Sequence, residues 1–520
     1  MSHQGGLSPL RFTTAPKPRL IRAPHLNNAL SRKGSARASV NSRTSGAMHD
    51  ILAIYEILIH ILSYSEKRDL AVAARISRAW SGVALDCLWR KIDSILPLLE
   101  TLSPIVMTDE HKCNFTGKPS HSSWERFQYY APRVRCVNHK DYPSHAIKYG
   151  AQSRLFAELP TLVGPYRPEN EPLLPNVQAI GWTIAEDIAL VPRILPFISP
   201  SLKALTLEIY ASDSEEDGDH VRQFLDGVTA SPELELESFN IDKPGIGAKF
   251  MKRLLTFLER QQNLKVFGMR CDPYLEPRAA QGMLFPNLPT GLREFGADVE
   301  FDDKNEYTAL IQTILQRLTN IRVLKLVLTS LGSWDLSDFE SLSPFLQNPN
   351  LEELTLYVST AIQLNTSDIH ALGKALPHMV RLNIRLHYNA RPALIIQVTS
   401  LMDLAKAFPD LQSLTAHISC AEIPLAPRPR DAKAELEGST LSKLRVLDVG
   451  RSSLLEKDVA RMAEFLASLR LDPLLEIEYD GKGKESEGSV RLWRDVEAMV
   501  KLLQRSNSGG KPDPDRTPND

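Results

Sequence analysis

The sequence predicts an α/β chain: a short N-terminal unit of three helices, then an irregular solenoid with a curved parallel sheet. Three observations predict it. A six-residue pattern, apolar-x-x-apolar-x-apolar, returns eleven times between residues 177 and 479. Stretches with helical apolar spacing lie between its copies. A run of helical pattern at residues 48–93 precedes them and shares none of that repeat.

The elements follow in chain order. Residues 1–47 carry eight Lys and Arg and no acid, are rich in Pro and Ser, and lack apolar periodicity. They read as a disordered basic tail. A mitochondrial transit peptide would share the Arg and Ser content, but prolines at 9, 16, 18 and 24 interrupt the amphipathic helix it needs. Net charge is −2 over 520 residues, so the body beyond the tail is acidic. That balance does not suit a nucleic-acid-binding fold, which carries its positive charge on the folded surface. No apolar run reaches the roughly 18 residues of a membrane span, and the first residues lack a secretory apolar core. Five scattered cysteines form no CxxC pair, which argues for a reducing compartment, cytoplasmic or nuclear.

Residues 48–95 form the helical unit. MHDILAIYEILIHILSYS places Asp50 to cap a first helix whose apolar residues cover more than half its circumference. Asp69 is placed to cap a second helix carrying Leu70, Val72, Ala73 and Ile76, and Ser81 a third carrying Val83, Leu85, Leu88 and Trp89. A unit this small sits near the lower limit for independent folding, and can retain excess apolar surface if a partner covers it.

The run AIYEILIHILSYSEKRDLAVAARISRAWSGVALDCLWRKID resembles an F-box, particularly the form common in fungal proteins. The resemblance covers about residues 50–93 and spans all three helices in order. It implies docking on the small adaptor of an SCF-type cullin ubiquitin ligase and, through it, on cullin. The implied adaptor-facing residues are Ile54, Tyr55, Ile57, Leu58, Ile61, Leu62, Leu88 and Trp89. Trp80 and Trp89 match the family's two tryptophans, with Trp89 bordering the adaptor. Tyr55 stands where the family usually has proline. Tyrosine is bulkier and keeps its N–H, which bears on adaptor affinity. A three-helix cap packed only on its own chain is the alternative.

Residues 96–172 read as a linker and irregular opening repeat, with VRCV (134–137) as its strand. Residues 173–505 hold the repeats and residues 506–520 a disordered C-terminal tail. The repeated hexapeptides are VQAIGW, LKALTL, the weaker LESFNI, LKVFGM, LREFGA, IRVLKL, LEELTL, MVRLNI, LQSLTA, LRVLDV and LLEIEY. TALIQTILQRL (308–318), VARMAEFLASL (459–469) and LWRDVEAMVKLL (492–503) show one-faced helical spacing between or after them. One strand and one amphipathic helix per repeat cannot each bury an apolar face alone, but stacked copies share a continuous core. The acidic run ASDSEEDGD (211–219) reads as a solvated loop.

This pattern resembles a leucine-rich-repeat array of irregular, long-repeat form. LRVLDVGRSSL (444–454) comes nearest, with Ser452 where asparagine usually caps the turn. Side chains alternate along a strand, so the third, fifth and seventh positions line the concave sheet. Glu353, Tyr357, Arg381, Asn383, Arg385 and His417 are the candidate substrate-binding residues there, Arg381 and Arg385 giving a positive centre. The resemblance implies that the repeats hold an unidentified protein substrate for ubiquitination and proteasomal degradation. A leucine-rich-repeat scaffold without ligase assembly is the alternative.

Chemistry is sparse. GxGxxG after a strand, GxxxxGK[ST], HExxH and GxSxG are all absent from the sequence. His111, Cys113, Cys136, His139 and His145 lack the paired spacing of a structural zinc site. The expectation is a non-catalytic chain with no catalytic residue, metal or cofactor, whose partners are proteins and neither nucleic acid nor membrane.

Overall fold

The computed structural model describes residues 55–507, except 108–112, 141–152, 169–170, 185–186, 211–216, 244–247, 272–276, 331–338, 387–391, 422, 425–440, 451 and 480–486. The N-terminal tail, residues 508–520, Asp50, Ile54, His111, His145 and most of the acidic run at 211–219 lie outside the described residues, while residues 506–507, expected as tail, close the last helix. The chain divides into two compact units, Met1–Ile57 and Leu58–Asp520. Of the first, only Tyr55–Ile57 is described, as the opening turn of a helix.

Among the described residues three helices come first: α1 (Tyr55–Ser63), α2 (Lys67–Ile76) and α3 (Arg78–Arg90). Ser77 separates the last two. Its backbone is extended (φ −152°, ψ 163°) and its Oγ accepts from Trp80 N–H at 3.2 Å. The cap is therefore Ser77 and not Ser81, whose own N–H already donates to Ser77 O at 2.9 Å as part of the helix. Likewise Glu66 occupies the cap position of α2. Asp69 lies inside its first turn, where a negative charge suits the helix dipole.

β1 (Lys91–Ile92) follows α3 without a loop. A hairpin comes next, β2 (Ile105–Met107) antiparallel to β3 (Cys113–Phe115), and then β4 (Cys136–Lys140), which begins within VRCV. The eleven hexapeptides each supply one strand, every one starting at the third residue of the motif. They are β5 (Ala179–Ile184), β6 (Ala204–Ile209), β7 (Ser238–Lys243), β8 (Val266–Cys271), β9 (Glu294–Phe301), β10 (Val323–Ser330) and β11 (Glu353–Val358). After β12 (Ile362–Gln363) come β13 (Arg381–Leu386), β14 (Leu394–Gln397), β15 (Ser413–Thr415), β16 (His417–Ser419), β17 (Val446–Gly450) and β18 (Glu476–Tyr479). LESFNI, the weakest copy, forms a full strand, β7.

Thirteen strands make one sheet in chain order: β1, β4 to β11, β13, β15, β17 and β18. Every pairing in it is parallel. Its register lines up the fourth motif position across the array, from Ile92 through Phe239, Phe267 and Phe295 to Ile477, and this row is buried. The three phenylalanine rings stand 6.1 and 6.0 Å apart. Each such side chain contributes about 1.5–3 kcal/mol on burial, which is what stacks one repeat on the next.

Helices close the apolar side. In Lys304–Arg317, Tyr307, Ile311, Ile314 and Leu315 are buried, and in Val459–Ser468 so are Val459, Met462, Phe465 and Leu466. Glu487–Asn507 buries Trp493, Val496 and Val500 but leaves Met499 exposed, against the expected face. Among the described residues, two repeats carry a 3-10 helix in place of the α-helix. Ile188–Phe197 and Phe339–Gln347 are 3-10 helices. Their internal prolines, Pro192, Pro196 and Pro344, lack the N–H an α-helical ladder requires.

β12, β14 and β16 form a second, three-stranded parallel sheet. His417 belongs to this sheet, paired with Ile395, and not to the main sheet where alternation placed it. The main ladder ends at Thr415, and Ala416 N–H donates to Asp448 O at 2.9 Å, so the chain turns off before His417. Ser452 serves as the turn clamp its position implies. Its Oγ donates to Val449 O and accepts from Ile418 N–H, both at 2.7 Å, while its carbonyl accepts from Trp493 Nε1 at 2.8 Å.

Candidate functional site: a docking face and an open sheet face

The helical unit has a core of its own. Leu58, Leu62, Leu70, Ala73, Val83 and Ala84 form an apolar cluster separate from that of the repeats, with Trp80, Cys87 and Leu88 packed against it. Leu58 and Leu62, only 2 % and 4 % exposed, therefore cannot present surface to an adaptor as the resemblance implied. Leu88 is half-buried against the same cluster. On α1 it is the neighbouring stripe that faces out: Ile61 is 44 % and Tyr64 79 % exposed. On α2, Val72 and Ile76 are exposed one turn apart, Ile76 at 63 %. In the preceding unit Tyr55 and Ile57 are exposed as well. Among the described residues, six of the thirteen large exposed hydrophobics lie between 55 and 76, a density no other segment matches.

Trp89 belongs elsewhere. It packs against the repeat core, its ring 4.8 Å from Tyr130 and tilted 30° to it. Arg133 completes this junction. Its Nη1 donates to Gly82 O at 3.3 Å and pairs with the Asp86 carboxylate, and its guanidinium lies 4.7 Å over the Tyr129 ring. The two tryptophans thus do different jobs, Trp80 sealing the helical core and Trp89 seating it on the first repeat.

The open face of the main sheet carries the third, fifth and seventh motif positions. Glu353, Arg381, Ser413, Val446 and Glu476 stand in one row and Thr355, Asn383, Thr415, Asp448 and Glu478 in the next; Tyr357 pairs with Arg385. The expected positive centre is neutralised within the sheet. Arg381 pairs with Glu353 at 2.9 Å and Arg385 with Asp448 at 2.7 Å. Asp448 also accepts from Gly450 N–H at 2.9 Å. Gly450 has φ +55°, and a Cβ there would strike the Pro392 ring. Thr415 Oγ1 donates to Asn383 Oδ1 at 3.0 Å. Thr355, Thr415 and Asp448 are consequently buried by their polar neighbours instead of meeting solvent.

Further along the same face, Lys325 pairs with Glu294 at 2.8 Å and Glu353 at 3.6 Å. Burial opposes its charge, but the two carboxylates outweigh that and hold its pKa above the ordinary lysine value. Burial pushes the Cys420 thiol up to about 12, with Asp458 adding to it, and burial followed by Asp86 raises Cys87. Both thiols stay protonated, the wrong state for a nucleophile. Among the described residues, no group of three or more His, Cys, Asp or Glu is placed to hold a metal ion, and no helix is long and apolar enough to cross a membrane.

Residues 55–94 match the family described as F-box-like. No curated protein matches the chain in sequence. Solved structures give fold likenesses at low identity. The leucine-rich repeat-containing protein LegL7 from Legionella pneumophila is 14% identical over 62% of this chain and 91% of its own, with a TM-score of 0.31. The Rad7 and Elc1 complex in yeast gives 13% identity, 60% and 82% coverage and a TM-score of 0.32. The TLR13–ssRNA13 complex gives 15%, 58% and 44%, and 0.27.

Proposed function

From an F-box-like domain set before a leucine-rich-repeat-like solenoid, we propose that this chain is the substrate-recognition subunit of an SCF-type ubiquitin ligase. The F-box-like helices dock on the adaptor subunit and, through it, on cullin. The repeats hold a protein substrate. Such a chain accelerates transfer by proximity and supplies no reacting group of its own.

The observation that carries this reading is the outward apolar stripe of α1 and α2 within the F-box-like match. Ile61, Tyr64, Val72 and Ile76 face outward although the same helices have a filled core beside them. Isolated exposed apolar residues are ordinary, but a concentrated set marks a surface that a partner covers.

Co-purification tests it. The full-length chain should retain the adaptor subunit, and Ile61→Asp should weaken that association at least about tenfold with an unchanged circular dichroism spectrum. Folded wild-type protein that does not retain the adaptor supports the scaffold alternative, in which Tyr55 in place of the family's proline has cost the chain its partner.

A further inference from the structure

The fifth motif position forms a row along the open face, Asn240, Gly268, Gly296 and Lys325 following one another across β7 to β10 in unbroken register. Two adjacent strands, β8 and β9, therefore contribute no side chain at this level. Asn240 leans over the first gap, since a Cβ on Gly268 would come within 2.3 Å of its Oδ1. The second gap is open. A Cβ on Gly296 would meet only ordinary contacts, the nearest being Lys325 O at 3.6 Å. The result is a slot of about 330 Å3 with a floor of bare peptide, bordered by Asn240, Lys325, Val327 and Tyr357. An engineered protein cavity of about 150 Å3 takes up benzene, so this space holds one aromatic side chain with room beside it.

The charged groups of the lining are already engaged. Lys325 is bonded to Glu294 and Glu353, and Glu353 in turn to Arg381. Glu208 accepts from Thr183 Oγ1 at 2.9 Å, and Asp242 and Asp298 have partners as well. An ionic occupant would have to compete with these bonds, whereas a neutral one leaves them in place. Val327 and Tyr357 are register partners in the next row and give the slot an apolar wall beyond Lys325. The Asn240 amide across from them is lightly held, its Nδ2 reaching Ser238 Oγ at a long 3.5 Å.

We propose that this slot takes a tyrosine side chain of an extended protein segment laid across the open face. This rests on the reading of the repeats as a substrate holder and names what they select. A planar ring lies flat on peptide surface where no Cβ intervenes and touches it with every atom, which a branched aliphatic side chain cannot do. One strand spacing, roughly 4.8 Å, separates Gly296 from the level over which the Asn240 amide leans, within reach of a phenol hydroxyl and its hydrogen bond. That hydroxyl both donates and accepts, so it pairs with whichever end of the amide faces it, whereas a tryptophan N–H only donates. Phosphorylation of the same tyrosine adds close to two negative charges where the existing charges are already paired, and excludes it.

The test uses the full chain and arrayed peptides with randomised flanks and a central tyrosine, phenylalanine, leucine or phosphotyrosine. Tyrosine peptides should be retained about tenfold more than leucine peptides, with phenylalanine between them and phosphotyrosine weakest. Gly296→Val fills the floor without a clash and, in protein with an unchanged circular dichroism spectrum, should erase the whole preference. Asn240→Ala removes the amide and should erase only the step from tyrosine to phenylalanine, leaving both above leucine. The wild-type ranking decides even where a variant fails to fold. Equal retention of tyrosine and leucine, phosphotyrosine held as well as tyrosine, a preference surviving Gly296→Val, or retention of no peptide overturns the proposal. Adaptor retention, assayed on the same preparations, tests the ligase reading separately. A chain that selects tyrosine but does not hold the adaptor keeps the slot and loses the ligase role.

Discussion

The helical unit and the repeat sheet solve opposite problems with the same kinds of residue. In the sheet, alternation sends every apolar fourth position inward, and the outward rows bond to each other, as Arg385 does to Asp448 and Lys325 to Glu294. In the helical unit a core of small size is filled by one stripe of α1, and a second apolar stripe, with Ile61 and Tyr64, is left over. Surface that a chain satisfies internally stabilises that chain. Surface that it leaves apolar is stabilised only by something else.

Exchanging core for surface tests this contrast most strongly. Leu58→Asp places a charge in the separate helical core and should cost about 3–5 kcal/mol. We expect the helical unit to melt and adaptor binding to vanish while the repeats keep their amide exchange protection. Ile61, one turn on, should tolerate the same substitution structurally. If Leu58→Asp leaves the helices folded, the division between the two stripes is misplaced.

The sheet side of the comparison is sharpened by Arg385→Ala. It leaves the largely buried Asp448 carboxylate with the Gly450 N–H but without its counter-charge. Partial exposure of Arg385 moderates the loss to about 2 kcal/mol, to be read as a lowered melting temperature with adaptor retention unaltered. An unchanged melting temperature would show that the paired rows are ornament and not support.

The smallest effect belongs to His417 in the second sheet, whose pKa burial holds below the ordinary histidine value. The unfolded chain then binds the proton more readily, so His417 contributes stability above about pH 6.5 that is lost as pH falls through its folded value. His417→Gln should flatten this acid-side decline by a fraction of a kcal/mol, measured as melting temperature against pH. A wild-type difference of the opposite sign would contradict the assignment.

How much of this was readable beforehand follows the physics of each pattern. Period-two alternation names faces unambiguously, and so every hexapeptide became a strand at its third residue. The register of Glu353, Arg381 and Ser413 also came out as alternation required. A helix that is apolar around most of its circumference names no face. The stripe of Leu58 and Leu62 could not be told from that of Ile57 and Ile61 until α2 and α3 were in place. Trp89 looked like part of the docking module because its partner, Tyr130, lies far along the chain. LKVFGM and LREFGA carry glycine at the same fifth position. Only the in-register pairing of the two strands sets those glycines side by side.

The first rung of the thirteen-stranded sheet, Lys91–Ile92, is made by chain that has just left α3, and it pairs directly with Cys136 and Val137. Cutting the protein between its two named parts therefore does not yield a clean repeat fragment. A chain beginning after Asp93 would start with β4 bare, its N–H and C=O groups unmatched along a parallel edge, and such edges recruit one another into aggregates. Dissection is better done by side-chain substitution within α1 and α2 than by scissors.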